Sequence, residues 1–390
     1  MNPDARLLRN PLVALAPTDE GYLAYDTTGD RIHRLNAAAA LIVELSDGTR
    51  TADALIADIA PMVAGEEARA GCARWIAGAI EDNLLKTLAP GASGPAAPAG
   101  EYFSSLASRL RSRGHVLAAF VCQHHAAAQL ADDAEHWATL GDLAHIIGRR
   151  EDARDAYEEY LTLAPGDAEV EHILVSLRGE APPPRAPDDC IVQLYARFAE
   201  FYERNMRQDL EYRGPELLTE ALQRMLRPAG ALDVLELGCG TGLAAGLLRT
   251  FARRLVGIDL SPDMAERATA TGLYDTVEIA EITEWLMRSR ARDFDLIAAC
   301  DTLIYFGDLR QVLMPAVKRL RDGGTLAFTV ERGEGEPFTL TDSGRYVHSE
   351  PHIADAAADA GLRVLSIDRT VLRYEYGEAV EGLVVVSRRT

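Results

Sequence analysis

Three closely spaced glycines, Gly238, Gly240 and Gly242, constrain this chain more than any other feature. The apolar stretch before them, Ala231 to Leu237, predicts a buried strand, and a helix-compatible run follows from Leu243 to Thr250. Glycine at such positions lets the backbone turn tightly and approach a ligand where a side chain would clash. The sequence therefore predicts the strand, turn and helix of an α/β domain.

An acid follows at the end of the next apolar stretch. Residues 255–259 predict a second strand that ends in Asp259, where a carboxylate can accept hydrogen bonds from ribose hydroxyls. Glu236 precedes the glycines, so the full pattern is E-x-G-x-G-x-G. This form resembles the class I S-adenosylmethionine-dependent methyltransferases rather than nicotinamide enzymes. The resemblance implies S-adenosyl-L-methionine as cofactor.

The resemblance to these methyltransferases extends from about Cys190 to the C-terminus. An aromatic helix at 195–206, an acid at Glu281 and a strand with its loop at 294–309 follow the order of the family's motifs. Its N-terminal part resembles a methyltransferase group that often carries tetratricopeptide repeats. The resemblance assigns cofactor contacts to Tyr195, Tyr212, Glu236, Gly238, Cys239, Gly240, Asp259, Leu260, Met264, Glu281, Ile282, Cys300 and Asp301.

Candidates for the acceptor side lie at strand ends and in late loops: Asp301, Tyr305, Glu331, Tyr346 and His348. The loop at 344–349 resembles the family's substrate-side "Tyr-x-His-Ser" segment. A histidine has the pKa range of a general base, and a structural histidine that fixes the loop is the alternative. Arg373 is interpreted as a surface strand residue, with pairing to a substrate carboxylate as the alternative.

The N-terminal segment predicts a small sheet followed by three helices, a winged-helix-like α+β unit. Strands are expected at 11–16, 21–26 and 31–35, and helices at 37–45, 52–59 and about 67–85. Residues 11 to about 88 resemble the PqqD-like domain, which implies recognition of a precursor's leader peptide as an added strand. The alternative is that this domain, residues 1–88, serves packing or dimerisation.

Helical patterns fill the middle of the chain, residues 101–178. The spacing matches one tetratricopeptide repeat, and a degenerate repeat precedes it by one period. The matching positions are Trp137, Leu140, Gly141, Ala153, Tyr157 and Pro165. Such an array can hold a peptide or act as a spacer. Gly- and Pro-rich stretches at 89–100 and 179–189 are interpreted as linkers, and residues 190–390 as the catalytic domain.

Composition narrows the classes of partner. The formal net charge of −20 argues against a nucleic-acid surface, which needs Lys and Arg. The five cysteines lack metal-site spacing and indicate reduced thiols in the cytoplasm. We expect no signal peptide, no membrane span and no bound metal.

Together these patterns predict a multidomain chain: a winged-helix-like domain, a tetratricopeptide-like all-α segment and a Rossmann-like α/β methyltransferase domain. The resemblances imply a methyltransferase that modifies a ribosomally synthesised precursor peptide through its leader. A small-molecule methyltransferase is the alternative, and a peptide-binding scaffold with a vestigial pocket is the non-enzyme alternative.

Overall fold

The computed structural model describes residues 4–19, 21–59, 66–288 and 291–390, and the chain divides into two compact units. The first is Met1–Pro165 and the second is Gly166–Thr390. Within the described residues, no helix combines the length and the apolar character that crossing a membrane requires.

The first unit begins with two small antiparallel sheets. Strands β2, β3 and β4 pair in that order, close to the predicted bounds. A second sheet, ordered β5-β1-β6, was not predicted, because four or five residues are too few to show a period-two pattern. The strands are β1 (Arg6–Arg9), β2 (Val13–Thr18), β3 (Gly21–Asp26), β4 (Arg31–Asn36), β5 (Asp47–Thr51) and β6 (Leu85–Leu88).

Seven helices of the described chain complete this unit. They are α1 (Ala37–Leu45), α2 (Ala52–Ile59), α3 (Glu66–Glu81), α4 (Gly100–Ser112), α5 (Val116–Gln129), α6 (Ala134–Ile146) and α7 (Arg150–Leu163). The Asn36 side chain caps α1 by accepting from the Ala39 amide at 2.9 Å. Helix α3 ends earlier than predicted, because Asn83 takes the left-handed conformation (φ 61°) and turns the chain into β6.

Helices α4 to α7 form two helical hairpins, α4 with α5 and α6 with α7. In the second hairpin Gly141 lies directly under the Tyr157 ring, where any Cβ would overlap the aromatic carbons. The Tyr157 hydroxyl donates to Asp142 at 3.0 Å. The predicted small residue at 141 therefore lets the two helices approach closely.

The second unit is built on a mainly parallel sheet with the order β12-β13-β11-β10-β7-β8-β9, and β15 and β14 extend it antiparallel beside β11. Its strands are β7 (Leu232–Leu237), β8 (Ala252–Asp259), β9 (Thr276–Ile279), β10 (Phe294–Ala299), β11 (Leu320–Arg332), β12 (Phe338–Leu340), β13 (Tyr346–His348), β14 (Leu362–Glu375) and β15 (Glu378–Arg389). The Rossmann-like fold predicted for this part of the chain is confirmed.

Helices cover both faces of this sheet and enclose two apolar cores. They are α8 (Ala168–Leu177), α9 (Asp188–Phe198), α10 (Tyr202–Arg204), α11 (Gly214–Gln223), α12 (Ala245–Leu248), α13 (Pro262–Ala270), α14 (Ile282–Met287), α15 (Arg310–Arg319) and α16 (Glu350–Asp359). Helix α8, which the sequence placed at the end of the tetratricopeptide-like segment, lies in this unit. Its His172 contacts the Gly344 carbonyl at 3.1 Å, and Ser176 donates to Asp342 at 2.8 Å.

The proline-rich segment at 179–189 is not a free linker, which corrects the sequence interpretation. The Ala186 amide donates to the Tyr305 carbonyl at 2.8 Å, and the Gly307 amide donates to the Pro184 carbonyl at 2.9 Å. The Tyr346 hydroxyl donates to the Pro183 carbonyl at 2.6 Å. Proline lacks an N–H but keeps its carbonyl, so such a segment can still be fixed by accepting hydrogen bonds.

Candidate active site

The glycine turn after β7 has the geometry that its residues require. Gly238, Gly240 and Gly242 all have positive φ, at 63°, 54° and 90°. A Cβ at Gly238 would overlap the Thr302 side chain, whereas the space at Gly240 is open within 4 Å. The backbone can therefore approach a ligand at this turn without a clash.

Asp259 is held against this turn by main-chain donors. Its carboxylate accepts from the Gly240 amide at 2.7 Å and from the Ser261 amide at 2.9 Å. Burial raises the pKa of Asp259, and these hydrogen bonds oppose the shift. The carboxylate is thus oriented at the end of β8 before any ligand binds.

A cavity lies over the carboxyl ends of β7, β8 and β10, where open α/β sheets bind ligands. It brings together ten of the predicted cofactor residues: Tyr195, Gly238, Gly240, Asp259, Leu260, Met264, Glu281, Ile282, Cys300 and Asp301. The Glu281 carboxylate caps α14 by accepting from the Glu284 amide at 2.7 Å. Adjacent polar and apolar walls of this kind fit an adenosine-bearing cofactor.

Three predicted cofactor residues lie outside the cavity wall. Glu236 is buried and accepts from the Tyr274 hydroxyl at 2.7 Å, and burial raises the pKa of its carboxyl to about 8. The Cys239 side chain is buried against Gly257. The Tyr212 hydroxyl lies 3.2 Å from the Cys300 sulfur. Of these three, Tyr212 contacts a residue of the wall, through the Cys300 sulfur.

Of the five candidates for the acceptor side, Asp301 and Tyr305 line the cavity. Tyr346 and His348 are fully buried elsewhere, and the Tyr346 hydroxyl bonds the proline segment. Burial and the neighbouring His352 lower the pKa of His348 to about 3, so at neutral pH its imidazole is a very weak base. The catalytic role predicted for the loop at 344–349 does not fit its position. The alternative, a structural histidine that fixes this loop, does fit.

Glu331 belongs to a buried group of ion pairs behind the cavity. Arg373 contacts Glu331, donates to Asp301 at 2.7 Å and donates to Glu375 at 2.7 Å. Arg345 donates to Glu331 and to Glu375, each at 2.7 Å. Arg373 is only 4% exposed, so its interpretation as a surface strand residue was wrong. Strand periodicity missed it because β14 has bulges that shift the register.

Three tyrosines, Tyr195, Tyr202 and Tyr305, form another part of the cavity wall. The Tyr195 and Tyr305 hydroxyls share a hydrogen bond of 2.8 Å, and Tyr202 packs edge-on against Tyr195. Burial raises the pKa of Tyr195 to about 12 and that of Tyr305 well above its usual range. These phenols therefore stay protonated and can donate hydrogen bonds at neutral pH.

Sequence reasoning missed three cavity residues, Arg185, Ile191 and Phe306. Arg185 pairs with Phe306 as an isolated β-bridge, which fixes the proline segment against the loop after β10. Only the assumption of a linker at 179–189 concealed Arg185, whereas Phe306 lies within the strand and loop predicted at 294–309. The apolar face of the aromatic helix could have indicated Ile191.

Comparisons with known proteins agree with this geometry. Residues 235–328 match the family model described as "Methyltransferase domain". The chain is 31% identical over 140 residues to Methyltransferase-like protein 27 of Homo sapiens, covering 35% of this chain and 56% of that protein. It is 28% identical over 128 residues to a ubiquinone biosynthesis O-methyltransferase of Xanthomonas axonopodis pv. citri, covering 32% and 53%.

The chain thus spans about half the length of these two relatives. It is also similar to the solved structure of Burkholderia thailandensis 1,6-didemethyltoxoflavin-N1-methyltransferase, with 22% identity and a TM-score of 0.41. That similarity covers 54% of this chain and 93% of the other. From the family match and the site together, the C-terminal part of the chain contains a methyltransferase domain of the S-adenosylmethionine-dependent class.

Proposed function

We propose that the whole chain is an S-adenosylmethionine-dependent methyltransferase that modifies a ribosomally synthesised precursor peptide, recognised through its leader by the N-terminal domain. The proposed recognition of a peptide rests on β4, which is an edge strand. It pairs with β3 on one side, and no strand among the described residues pairs with its other side.

The cavity supplies the cofactor site of this proposal. Asp259 would accept from the ribose hydroxyls, Leu260 and Ile282 would flank the adenine ring, and Glu281 would face its amine. When bound, the cofactor supplies a methyl group on a positively charged sulfur. The protein then has mainly to align the acceptor and exclude water.

The edge of β4 has the features of a surface that takes up an added strand. Ile32 is 38% exposed, and the neighbouring Arg31 and Arg34 are also exposed. Arg31 donates to Asp82, just after the end of α3, at 3.3 Å, so a helix end lies beside the strand. An open edge offers main-chain hydrogen bonds, and exposed side chains beside it give specificity.

Tethering explains why such a domain would accompany a methyltransferase. A leader held by one domain raises the effective concentration of its attached core peptide at the other. The two helical hairpins of α4 to α7 are proposed to be tetratricopeptide-like, with Gly141 under Tyr157 as the supporting contact.

A small-molecule methyltransferase is the second candidate. One matched relative is named for ubiquinone biosynthesis. The match to the methyltransferase family model does not distinguish a small-molecule acceptor from a peptide acceptor. In this case the N-terminal domain would serve packing or dimerisation.

Leader dependence separates the two candidates. The substrates are short peptides encoded beside the enzyme, tested with and without their leaders, and methylation is measured as a mass gain. We expect the leader to raise kcat/KM by at least ~10-fold, and Ile32→Asp to remove this gain while leaving the leaderless reaction unchanged. The matched control is Leu163→Asp, which places the same charge at an exposed apolar position on α7. Equal rates with and without leader would overturn leader recognition.

A further inference from the structure

The cavity has two chemically different ends. Asp259 and Glu281 follow β8 and β9 on one side of the sheet, and the proposed cofactor role uses both. Cys300 and Asp301 follow β10 on the other side of β7. This second end is where an acceptor would meet the methyl group, because the adenosine end is already assigned.

Asp301 supplies the carboxylate of this acceptor end, and the protein fixes its position with several hydrogen bonds. One carboxylate oxygen accepts from the Thr329 hydroxyl at 2.7 Å, and the other accepts from Arg373 at 2.7 Å. Its own amide donates to Thr329 at 2.8 Å, with the backbone at φ 49°. Each carboxylate oxygen has room for a further hydrogen bond, so Asp301 can accept an N–H or O–H from a ligand.

The charge of the cavity wall disfavours an anionic acceptor. Within the described residues the wall carries three carboxylates, Asp259, Glu281 and Asp301, against one guanidinium, Arg185. Arg185 is already paired with Asp188 at 2.5 Å. A carboxylate brought to the acceptor end would face Asp301 at close range in a poorly solvated site.

The same wall offers little help to a hydroxyl acceptor, which must lose a proton to become a good nucleophile. The tyrosines keep their protons, since burial raises the pKa of Tyr195, Tyr202 and Tyr305. Asp301 can accept a hydrogen bond from a hydroxyl, but Arg373 and Thr329 stabilise its charged form and oppose the rise in pKa that burial causes, so it is a poor proton acceptor. His348 lies outside the cavity.

We propose that the acceptor is an amine, oriented by an N–H···O bond to Asp301 and surrounded by the tyrosine rings. This inference rests on the proposed methyl transfer. The amine loses its ammonium proton to water before it reacts. Its lone pair then forms the new N–C bond as the S–C bond breaks, and the positive charge passes from sulfur to nitrogen. The methylated ammonium later releases a proton to water.

The acceptor end is complementary to the positive charge that appears on nitrogen. Asp301 provides a carboxylate, and aromatic faces attract cations. The Tyr195 ring lies 6.0 Å from that of Tyr202 and 6.1 Å from that of Tyr305, centroid to centroid, in edge-to-face geometry. Arg373 acts on the acceptor only through Asp301, so it is a positioning residue.

The first test is a choice among three probes of similar size: benzylamine, benzyl alcohol and benzoate. Each is incubated with the full-length protein and isotopically labelled S-adenosylmethionine, and the labelled product is identified by mass spectrometry. We expect transfer to benzylamine alone. Transfer to the alcohol or the acid, or to none of the three while S-adenosylhomocysteine still binds, would overturn the inference and leave the cofactor site intact. Failure to bind S-adenosylhomocysteine would overturn the proposed function itself.

The second test is Asp301→Asn, compared with Asp308→Asn on the same loop. Asp308 lies outside the cavity wall, in a partly exposed pair with Arg310. We expect Asp301→Asn to weaken benzylamine binding, measured by calorimetry at saturating S-adenosylhomocysteine, by at least ~30-fold relative to Asp308→Asn. Equal benzylamine binding by both variants would overturn the role of Asp301. Thermal unfolding of both variants shows whether each has folded, and Asp301→Glu provides a second probe if Asp301→Asn has not.

The pH dependence supplies a third readout. If the amine loses its proton to water, log kcat/KM rises with pH up to the pKa of the amine, and the profile moves when a less basic amine replaces benzylamine. A profile that stays in place when the amine is changed would show an enzyme base, and it would contradict the inference.

Discussion

His348 lies completely inside the second unit, with its ring stacked on that of His352 at a centroid distance of 5.7 Å. Burial and His352 lower its pKa to about 3, and the backbone near Leu303 and Phe306 only partly opposes this. The unfolded chain has a histidine pKa of about 6.5. The unfolded state therefore binds more protons than the native state at every pH between these two values.

The His348 shift predicts an acid-sensitive fold. Stability from this residue is fully present above pH ~6.5 and falls as the pH decreases towards 3, by about 2 kcal/mol between pH 7 and pH 5. We expect His348→Phe to flatten the dependence of the unfolding free energy on pH over this range, as measured by urea denaturation. His115→Phe, at an exposed position, is the control. Parallel curves for wild type and His348→Phe would contradict the prediction.

At the scale of elements, helix α6 depends on a residue without a side chain. Gly141 brings α6 against the Tyr157 ring of α7, and a Cβ there would overlap three ring atoms. Gly78 in α3 has open space around its Cβ position. A side chain is therefore excluded at position 141 and tolerated at position 78, although glycine has the same helix propensity at both.

These two glycines give a matched pair of substitutions. Gly141→Ala should destabilise the first unit by about 1–3 kcal/mol through overpacking, despite the better helix propensity of alanine. Gly78→Ala should be neutral or stabilise by up to about 1 kcal/mol. Chemical denaturation followed by circular dichroism measures both. Equal effects would show that the Tyr157 contact does not limit packing.

At the scale of the whole molecule, the cavity is contained in the second unit. Its wall runs from Arg185 to Phe306, and the elements that support it include α8 and the proline segment. The division between the units lies at Pro165–Gly166, whereas the sequence placed the start of the catalytic domain at Cys190. The difference amounts to a helix and a fixed segment that carry no recognisable methyltransferase motif.

Two truncations test where this unit begins. A fragment of residues 166–390 should bind S-adenosylhomocysteine with the Kd of the full chain, because it keeps the complete cavity wall. A fragment of residues 190–390 lacks Arg185 and the hydrogen bond from the Ala186 amide to Tyr305, and it should bind at least ~10-fold more weakly. Calorimetry on both fragments decides the matter, and equal affinity would show that the proline segment is dispensable.

The glycine turn and the acid at the end of β8 were predictable because their determinants are local in sequence. The glycines at 238–242 and the acid at 259 combine backbone requirements with strand ends, and both are visible in a single chain. Short strands such as β1 and β6 were not predictable, since four residues carry too little pattern. Neither was the burial of Arg373, since two of its partners, Glu331 and Asp301, are 42 and 72 residues away in sequence.

The sequence alone thus determined the succession of strands along the α/β part of the chain, the glycine turn and the acid at the end of β8, because these follow from local sterics and hydrophobic periodicity. Only the tertiary structure decided which polar residues line the cavity. In the folded chain His348 and Tyr346 are buried in the core, and Arg373 is bonded to Asp301. The proline segment is fixed against the loop after β10 and contributes to the cavity wall. Burial and long-range pairing determine whether an ionisable side chain can act on a substrate, and neither is recorded in the spacing of a motif.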